Sequence, residues 1–355
     1  MKIVTVVGNR PQFVKAAAVS HRLRAVADEV LVHTGQHYDE ELSRIFFDEL
    51  RLPAPEHQLD LGGGSNTAQT ARMLAALEPL LASEAPDAVL VYGDTNSTLA
   101  GALAAAQAGI RVAHVEAGMR SDDRSMPEEL NRVLTDHASS LLLCSSERAA
   151  ERLRQERVHG EVVVVGDVMV DVAMLLAPRA RADTAPLRAA DVAPGGYALA
   201  TAHRAGNVDD PERLRRVVAV LTAVPGPVVL PLHPRTRSRL EAAGLLGRLS
   251  ADGVRLVPPL GYLEFTSLLV HARAVLTDSG GVQKEAYLAG VPCITLRTRT
   301  EWTETVQAGW NALVGLDTDA ALAALARPVP VERPPLYGDG RAGERVVKAL
   351  STMAA

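Results

Sequence analysis

The 355-residue chain carries 37 Lys and Arg against 42 Asp and Glu, a net charge of −5, with 47% apolar and 3% aromatic residues. That length reads as two domains at roughly 100–200 residues each, and the globular composition excludes disorder, collagen and coiled coil as the main architecture. The mildly acidic balance leaves no electrostatic footprint for nucleic acid. Two cysteines, Cys144 and Cys293, can build neither a disulfide framework nor a thiolate zinc site, and they point to a reducing, cytoplasmic setting.

The first apolar run, Ile3–Val7, is too short for a signal peptide or a membrane span. Further β-branched runs follow at Val30–His33, Val89–Tyr92, Val112–Val115, Leu141–Cys144 and Val162–Val165. Between them lie stretches of helical period, among them Phe13–Arg24, Thr67–Ala82, Ser97–Ala108 and Glu128–Ala138. Strands alternating with helices predict βαβ units around a buried parallel sheet. A helical stretch follows Gly166 and Asp167, then a polar region, Ala177–Gly196, without periodicity. The alternation restarts with Tyr197–Thr201, Val228–Leu232, Val254–Pro258, Ala274–Thr277, Cys293–Leu296 and Ala312–Val314. A Pro-rich stretch, Pro328–Pro335, leads to a final helix. The expected fold class is therefore α/β: two doubly wound, Rossmann-like domains, 1–167 and 168–339, facing a cleft. The helix in 340–355 is expected to pack back on the first domain.

In open α/β sheets ligands bind outside the carboxyl ends of strands, so polar residues just past a strand are the candidates. The first strand ends in Gly8-Asn9-Arg10-Pro11-Gln12-Phe13-Val14-Lys15. There Arg10 and Lys15 join the dipole and free N–H groups of a helix start as an anion site. A second candidate is Asp278-Ser279-Gly280-Gly281, with Glu285 one turn into the next helix. Glycines let backbone approach a phosphate, Ser279 donates, and Glu285 accepts from a ribose diol. Asp94, Glu116 and Glu128 follow strands or open helices in the first domain. Three acids converging on one cleft would repel, raise at least one pKa and make coupled acid and base partners. His203-Arg204 and His233-Pro234-Arg235 each put a histidine past a strand, facing the diphosphate.

Other patterns are set aside. Gly338-Asp339-Gly340-Arg341-Ala342-Gly343 matches a dinucleotide fingerprint but follows no strand, and reads as a turn capping the last helix. His33 and His37 have the spacing of a metal pair, but nothing nearby completes a ligand set, so neither a metal nor a redox cofactor is expected.

Taken together, Gly8–Gln12 with Lys15, Thr34–His37, Gly93–Thr95, His114–Gly118, Pro127–Glu129 with Asn131 and Arg132, Thr201–Arg204, Asp278–Gly281 with Glu285, and Tyr337–Gly340 resemble the non-hydrolysing UDP-N-acetylglucosamine 2-epimerases along essentially the whole chain. The resemblance implies a GT-B-like fold and a set of roles for the site residues. Asp94, Glu116 and Glu128 are implied as acid/base carboxylates, and His203 as a supporting catalytic group at the diphosphate. Arg10, Lys15, Ser279, Gly280, Gly281 and Glu285 are implied as UDP ligands. Gln36, His37 and Arg204 match motifs lining an activator site in some bacterial members. It further implies a UDP-sugar as partner, no membrane or nucleic acid, no cofactor, and a homodimer.

Departures from the family pattern sharpen the substrate question. Trp302 stands where many members have an arginine reaching the nucleotide, His233-Pro234-Arg235 replaces a commoner His-x-Asn-Pro, and Gly206 stands where glutamate is frequent. These features resemble a subgroup acting on UDP-2,3-diacetamido-2,3-dideoxyglucuronic acid, whose carboxylate Arg235, Arg297 and Arg299 would suit. A hydrolysing 2-epimerase, a retaining glycosyltransferase and a silent UDP-sugar sensor are the rival readings.

Overall fold

The computed structural model describes residues 1–36, 50, 52–124 and 126–353, and the chain divides into two units, Met1–Met174 with Tyr337–Ala355 and Leu175–Leu336. In the first unit, strands β1 (Lys2–Val7), β2 (Asp28–His33), β3 (His57–Gln58), β4 (Ala88–Tyr92), β5 (Arg111–Ala117), β6 (Leu141–Cys144) and β7 (Glu161–Val164) form a 7-stranded sheet. Its order is β3-β2-β1-β4-β5-β6-β7, and every pair is parallel. Helices α1 (Arg10–Leu23), α2 (Asn66–Glu84), α3 (Asn96–Gln107), α4 (Pro127–Ala138), α5 (Glu147–Glu156) and α6 (Val168–Ala182) complete the βαβ path. Val4, Val6, Val30, Val32, Val89 and Val91 pack with Met73, Leu77, Leu81, Ala100 and Ala104 in one core. Runs of β-branched residues suit strands covered on both faces.

The second unit repeats the plan. Strands β8 (Ala198–Thr201), β9 (Val228–Pro231), β10 (Val254–Val257), β11 (Ala274–Thr277), β12 (Cys293–Thr295) and β13 (Asn311–Leu313) order as β10-β9-β8-β11-β12-β13, again parallel. Ala198, Ala200, Leu230 and Leu276 enter one core, while Leu199, Val229 and Val275 enter another, as the period-2 alternation of strands requires. The helices are α7 (Ala185–Ala189), α8 (Ala205–Val208), α9 (Pro211–Ala223), α10 (Pro234–Ala242), α11 (Leu246–Ala251), α12 (Tyr262–Val270), α13 (Gly280–Ala289), α14 (Thr303–Gln307) and α15 (Thr318–Leu325).

Both sheets reverse their strand order once, between β1 and β4 and between β8 and β11. At such a switch point the two flanking connections run to opposite faces and leave a crevice above the strand ends. The loops after β1, β4, β8 and β11 are thereby singled out by topology before any side chain is considered.

The last helix, α16 (Ala342–Met353), belongs to the first unit and packs on α1. The Asp171 carboxylate accepts from Ala342 N (3.0 Å) and Gly343 N (2.9 Å), capping its first turn. Gly343 lies so close to the Ala18 carbonyl that a Cβ has no room. The Gly338–Gly343 run follows no strand and leads into this capped helix start. One expectation is corrected here: the stretch 177–196 is not wholly irregular. Helix α6 continues through Pro178 to Ala182, and α7 follows. A proline signal hid a helix whose remaining residues are good helix formers.

Gly118, just past β5, has φ +78, and a Cβ there would sit 2.8 Å from the Ala149 carbonyl carbon. Gly118→Ala combines left-handed strain with a backbone clash and is expected to cost about 2–4 kcal/mol, read as a lowered urea midpoint at unchanged slope. Among the described residues, no helix is long and apolar enough to cross a membrane.

Candidate functional site

In the first unit, the loop after β1 is held by backbone and amide bonds. Asn9 caps α1 by accepting from Gln12 N (3.2 Å), Gly8 N donates to Gln12 Oε1 (2.7 Å), and Gln12 Nε2 donates to Tyr92 O (2.8 Å). Gln12 thus stitches the β1 loop to the end of β4, across the switch point. Gly8 packs against the hydroxyls of Ser97 and Thr34, where a Cβ would collide. Pro11 occupies the first turn of α1, and partly buried Arg10 opens it.

Lys15, one turn further along α1, forms an ion pair with Glu116, and both side chains are nearly enclosed, 13% and 11% exposed. Glu116 has φ +70, a conformation that L side chains avoid. The cause is a bulge: Val115 pairs with Leu143 and Ala117 with Cys144, so Glu116 is the extra residue between them. Strain of this kind costs about 1–3 kcal/mol and collects at functional positions. Gly93 closes the cluster; its φ is +66, and a Cβ there would lie 3.0 Å from Lys15 Nζ and 3.5 Å from Glu116 Oε2.

Asp94 follows Gly93 and is paired with Arg132 of α4, while Asn131 Nδ2 donates to the Asp94 carbonyl at 3.1 Å. The next acid of α4, Glu129, is buried and accepts from Ser121 N (2.9 Å), Asp122 N (3.1 Å) and Arg132 (3.1 Å), which fixes the loop before the helix. Glu128 is exposed in the first turn of α4, one turn before Arg132. Asp94 and Glu116 each have a cation of their own, and Glu128 stands out in solvent on the helix that carries Arg132.

In the second unit Asp278, wholly buried, organises the switch-point loops. It accepts from His203 N (3.1 Å), Arg204 N (3.1 Å) and Asn207 Nδ2 (3.1 Å). This joins the loop after β8 to the loop after β11 and leaves the His203 side chain exposed. His233, exposed after β9 and capping α10 through Arg235 N (3.2 Å), has its ring 6.1 Å from that of His203. Ser279 caps α13 without a side-chain bond, so its hydroxyl is not spent on the helix. Gly280 and Gly281 form the first turn, Gly281 exposed.

Behind that turn Trp302 Nε1 donates to the Gly280 carbonyl (2.9 Å), and Lys284 Nζ lies 4.4 Å from the Trp302 ring centre. Burial pushes the Glu285 carboxyl up to about 7, partly offset by the Lys284 charge and a hydrogen bond from Tyr262. Of the arginines suited to a sugar carboxylate, Arg235 is paired with Asp209 and Arg297 with Glu301, whereas Arg299 is exposed.

Of the residues matched to an activator site, Gln36 lies in the first unit and Arg204 in the second. Gln36 Oε1 accepts from Ser97 N (3.0 Å) and Ser97 Oγ (2.7 Å) within the first unit. His37 falls outside the described residues. Among the described residues no cluster of three or more His, Cys, Asp or Glu could hold a metal. Sequence reasoning gave no role to Arg132, Asp278 or Lys284. Asp278 had a signal, its place directly after a strand, but Asp before Ser-Gly-Gly also reads as an ordinary turn residue.

Known proteins resemble this chain along almost its whole length. A family model described as UDP-N-acetylglucosamine 2-epimerase matches residues 21–351. A UDP-2,3-diacetamido-2,3-dideoxy-D-glucuronate 2-epimerase from Pseudomonas aeruginosa is 46% identical, over 99% of this chain and 100% of that protein. The crystal structure of Methanocaldococcus jannaschii UDP-GlcNAc 2-epimerase in complex with UDP-GlcNAc and UDP is 40% identical with a TM-score of 0.92, covering 99% and 100% of the two chains. A UDP-glucosyltransferase from Polygonum tinctorium, 16% identical with a TM-score of 0.62 over 99% and 92%, shares the fold alone.

Proposed function

Because this chain belongs to the UDP-N-acetylglucosamine 2-epimerase family, we propose that it interconverts UDP-N-acetylglucosamine and UDP-N-acetylmannosamine by eliminating and re-adding UDP. Carbon 2 of the sugar has no neighbouring carbonyl, so its proton is not acidic in the ground state. Stretching the bond from carbon 1 to UDP builds positive charge at carbon 1 and acidifies the adjacent C–H. The N–H groups at Ser279–Gly281, with Arg10 and the histidines 203 and 233, would take up the charge of the departing diphosphate. A carboxylate removes the proton, leaving 2-acetamidoglucal beside UDP, and proton return to the opposite ring face with re-addition of UDP gives the epimer. Glu116 is proposed as one proton-transfer group and Asp94 and Glu128 as its partners on the other face.

The observation that carries this reading is Glu116 itself: a carboxylate held at a bulge, in a strained backbone conformation, beside Lys15 and Gly93 at the switch point. Proton NMR in deuterated water tests it. Deuterium is expected at carbon 2 of both epimers at the rate of their interconversion, and an epimer that keeps its original hydrogen would overturn the mechanism. Free N-acetylmannosamine would instead reveal a hydrolysing enzyme.

A second substrate is favoured by a specific observation, the 46% identity to the Pseudomonas aeruginosa enzyme. The same NMR experiment with UDP-2,3-diacetamido-2,3-dideoxyglucuronic acid decides between them. Buried free thiols at Cys144 and Cys293 support a cytoplasmic setting, and sedimentation tests the proposed homodimer.

Glu285 predicts a pH dependence. Its folded-state value, about 7, lies above the usual 4.5, so ionising it opposes folding. Without ligand, the stability it affects is intact below 4.5 and falls as pH rises through about 7. An ionised Glu285 accepts better from a ribose diol, so UDP binding strengthens over the same rise, by up to about tenfold per pH unit below 7. Calorimetry on Glu285→Gln is expected to show that dependence flattened.

A further inference from the structure

His114, on β5, is completely buried between two groups. Its Nδ1 lies 2.7 Å from Asp136 Oδ1, and its Nε2 lies 2.7 Å from the Gly93 carbonyl oxygen. A backbone carbonyl can only accept a hydrogen bond. Asp136 can only accept as well, because the two donors on its other oxygen, Arg120 foremost, keep the carboxyl ionised. Its other oxygen takes Arg120 (2.7 Å) and Gly118 N (3.2 Å). A neutral imidazole offers one N–H and one lone pair, and a lone pair aimed at either acceptor would repel it.

From these two contacts we infer that buried His114 carries a proton on both ring nitrogens in the folded protein, and that it acts as a positioning residue for the proton-transfer carboxylates. Charge bookkeeping supports the assignment. Arg120 also bonds Glu156 through Nε (3.0 Å) and a terminal nitrogen (2.6 Å), so the chain His114, Asp136, Arg120, Glu156 alternates in sign and sums to zero when His114 is charged. Glu156 also takes Arg152 (3.0 Å), whose own partner Asp122 keeps that extension neutral, and nearby Cys144 is a thiol pushed up to about 12 by burial and by Asp136. On the other side of Gly93 stand the Lys15–Glu116 pair and Arg132, which faces both Asp94 and Glu129.

The consequence for the site follows from Gly93. Its N–H donates to Val115 O (3.0 Å) and its carbonyl accepts from His114, so both polar groups of the residue before Asp94 are fixed to the two residues before Glu116. His114 therefore sets the spacing of Asp94 and Glu116 without touching substrate. This role rests on the proposed proton transfer by those carboxylates; the protonation state does not.

The test begins with the unaltered protein. The ¹⁵N spectrum of selectively labelled histidine, with His114 assigned through its correlation to the Gly93 carbonyl, should show both ring nitrogens protonated at about pH 8, where an ordinary imidazole is neutral. A single-proton tautomer overturns the inference, whatever the role of Glu116. In Asp136→Asn, whose side chain no longer demands a charged donor, the ring should revert to one proton. His114→Asn should lower the rate of deuterium entry at carbon 2 by roughly 10²-fold with UDP affinity unchanged. An unchanged rate, or a loss equally large in UDP affinity, overturns the positioning role. If Glu116→Gln keeps full turnover while the ring is doubly protonated, the acid/base reading fails and the imidazolium stands.

Discussion

Glu116→Gln is expected to lower turnover by roughly 10²–10⁴-fold while leaving UDP affinity near its original value. The substitution keeps the size of the side chain, its bulged position and an oxygen able to accept from Lys15, and it removes only the capacity to carry a proton. A stability loss is expected alongside it, because Lys15 is nearly enclosed and loses its counter-charge. The two effects separate experimentally: calorimetric titration with UDP reports on binding, and thermal unfolding on stability. Turnover within a few-fold of the unaltered enzyme would remove Glu116 from the chemistry. The parallel change Glu128→Gln is the sharper probe of geometry, since Glu128 is exposed and its loss should cost nothing in stability.

Asp278→Ala should produce the second large effect, on binding and folding together. The carboxylate is wholly buried and takes hydrogen bonds from His203 N, Arg204 N and Asn207 Nδ2. Truncation leaves those donors buried without an acceptor, and breaking a buried charged network of this kind costs about 3–5 kcal/mol. It also unties the loop after β8 from the loop after β11, so UDP affinity should fall by more than the stability change alone explains. Asp278→Asn keeps the size and one acceptor and should recover part of both. Native UDP affinity in a folded Asp278→Ala protein would show that the two loops are held by something else.

Much of the architecture was legible because its signals are local. The runs at Val89–Tyr92 and Leu141–Cys144 lie in strands Ala88–Tyr92 and Leu141–Cys144, and the rule that ligands gather past strand ends directed attention to Gly8, Asp94, His203 and Ser279. Partnerships between distant residues were not legible. Nothing in Pro127–Arg132 announces that Arg132 reaches Asp94 or that Glu129 is interior while Glu128 is exposed, since the choice depends on the angle at which α4 meets β4. The bulge is a similar case. Glu116 was read as lying beyond an apolar strand, whereas β5 runs to Ala117 and carries Glu116 inside its last turn of the ladder, because only the register against β6 reveals the extra residue. Arg235 and Arg297 looked available for an acidic sugar until Asp209 and Glu301 were seen to hold them.

Helix α16 has a consequence for how the protein is made. The first unit takes its closing piece from residues after 336, docked on α1 and capped by Asp171. During synthesis at about 5–20 residues per second, the sheet of the first unit must therefore wait, for roughly ten seconds or more, while the whole second unit is translated before its α1 surface is covered. That interval exposes apolar helix surface on the ribosome, which makes the nascent first unit a natural client for chaperones and favours variants that hold α1 in place unaided.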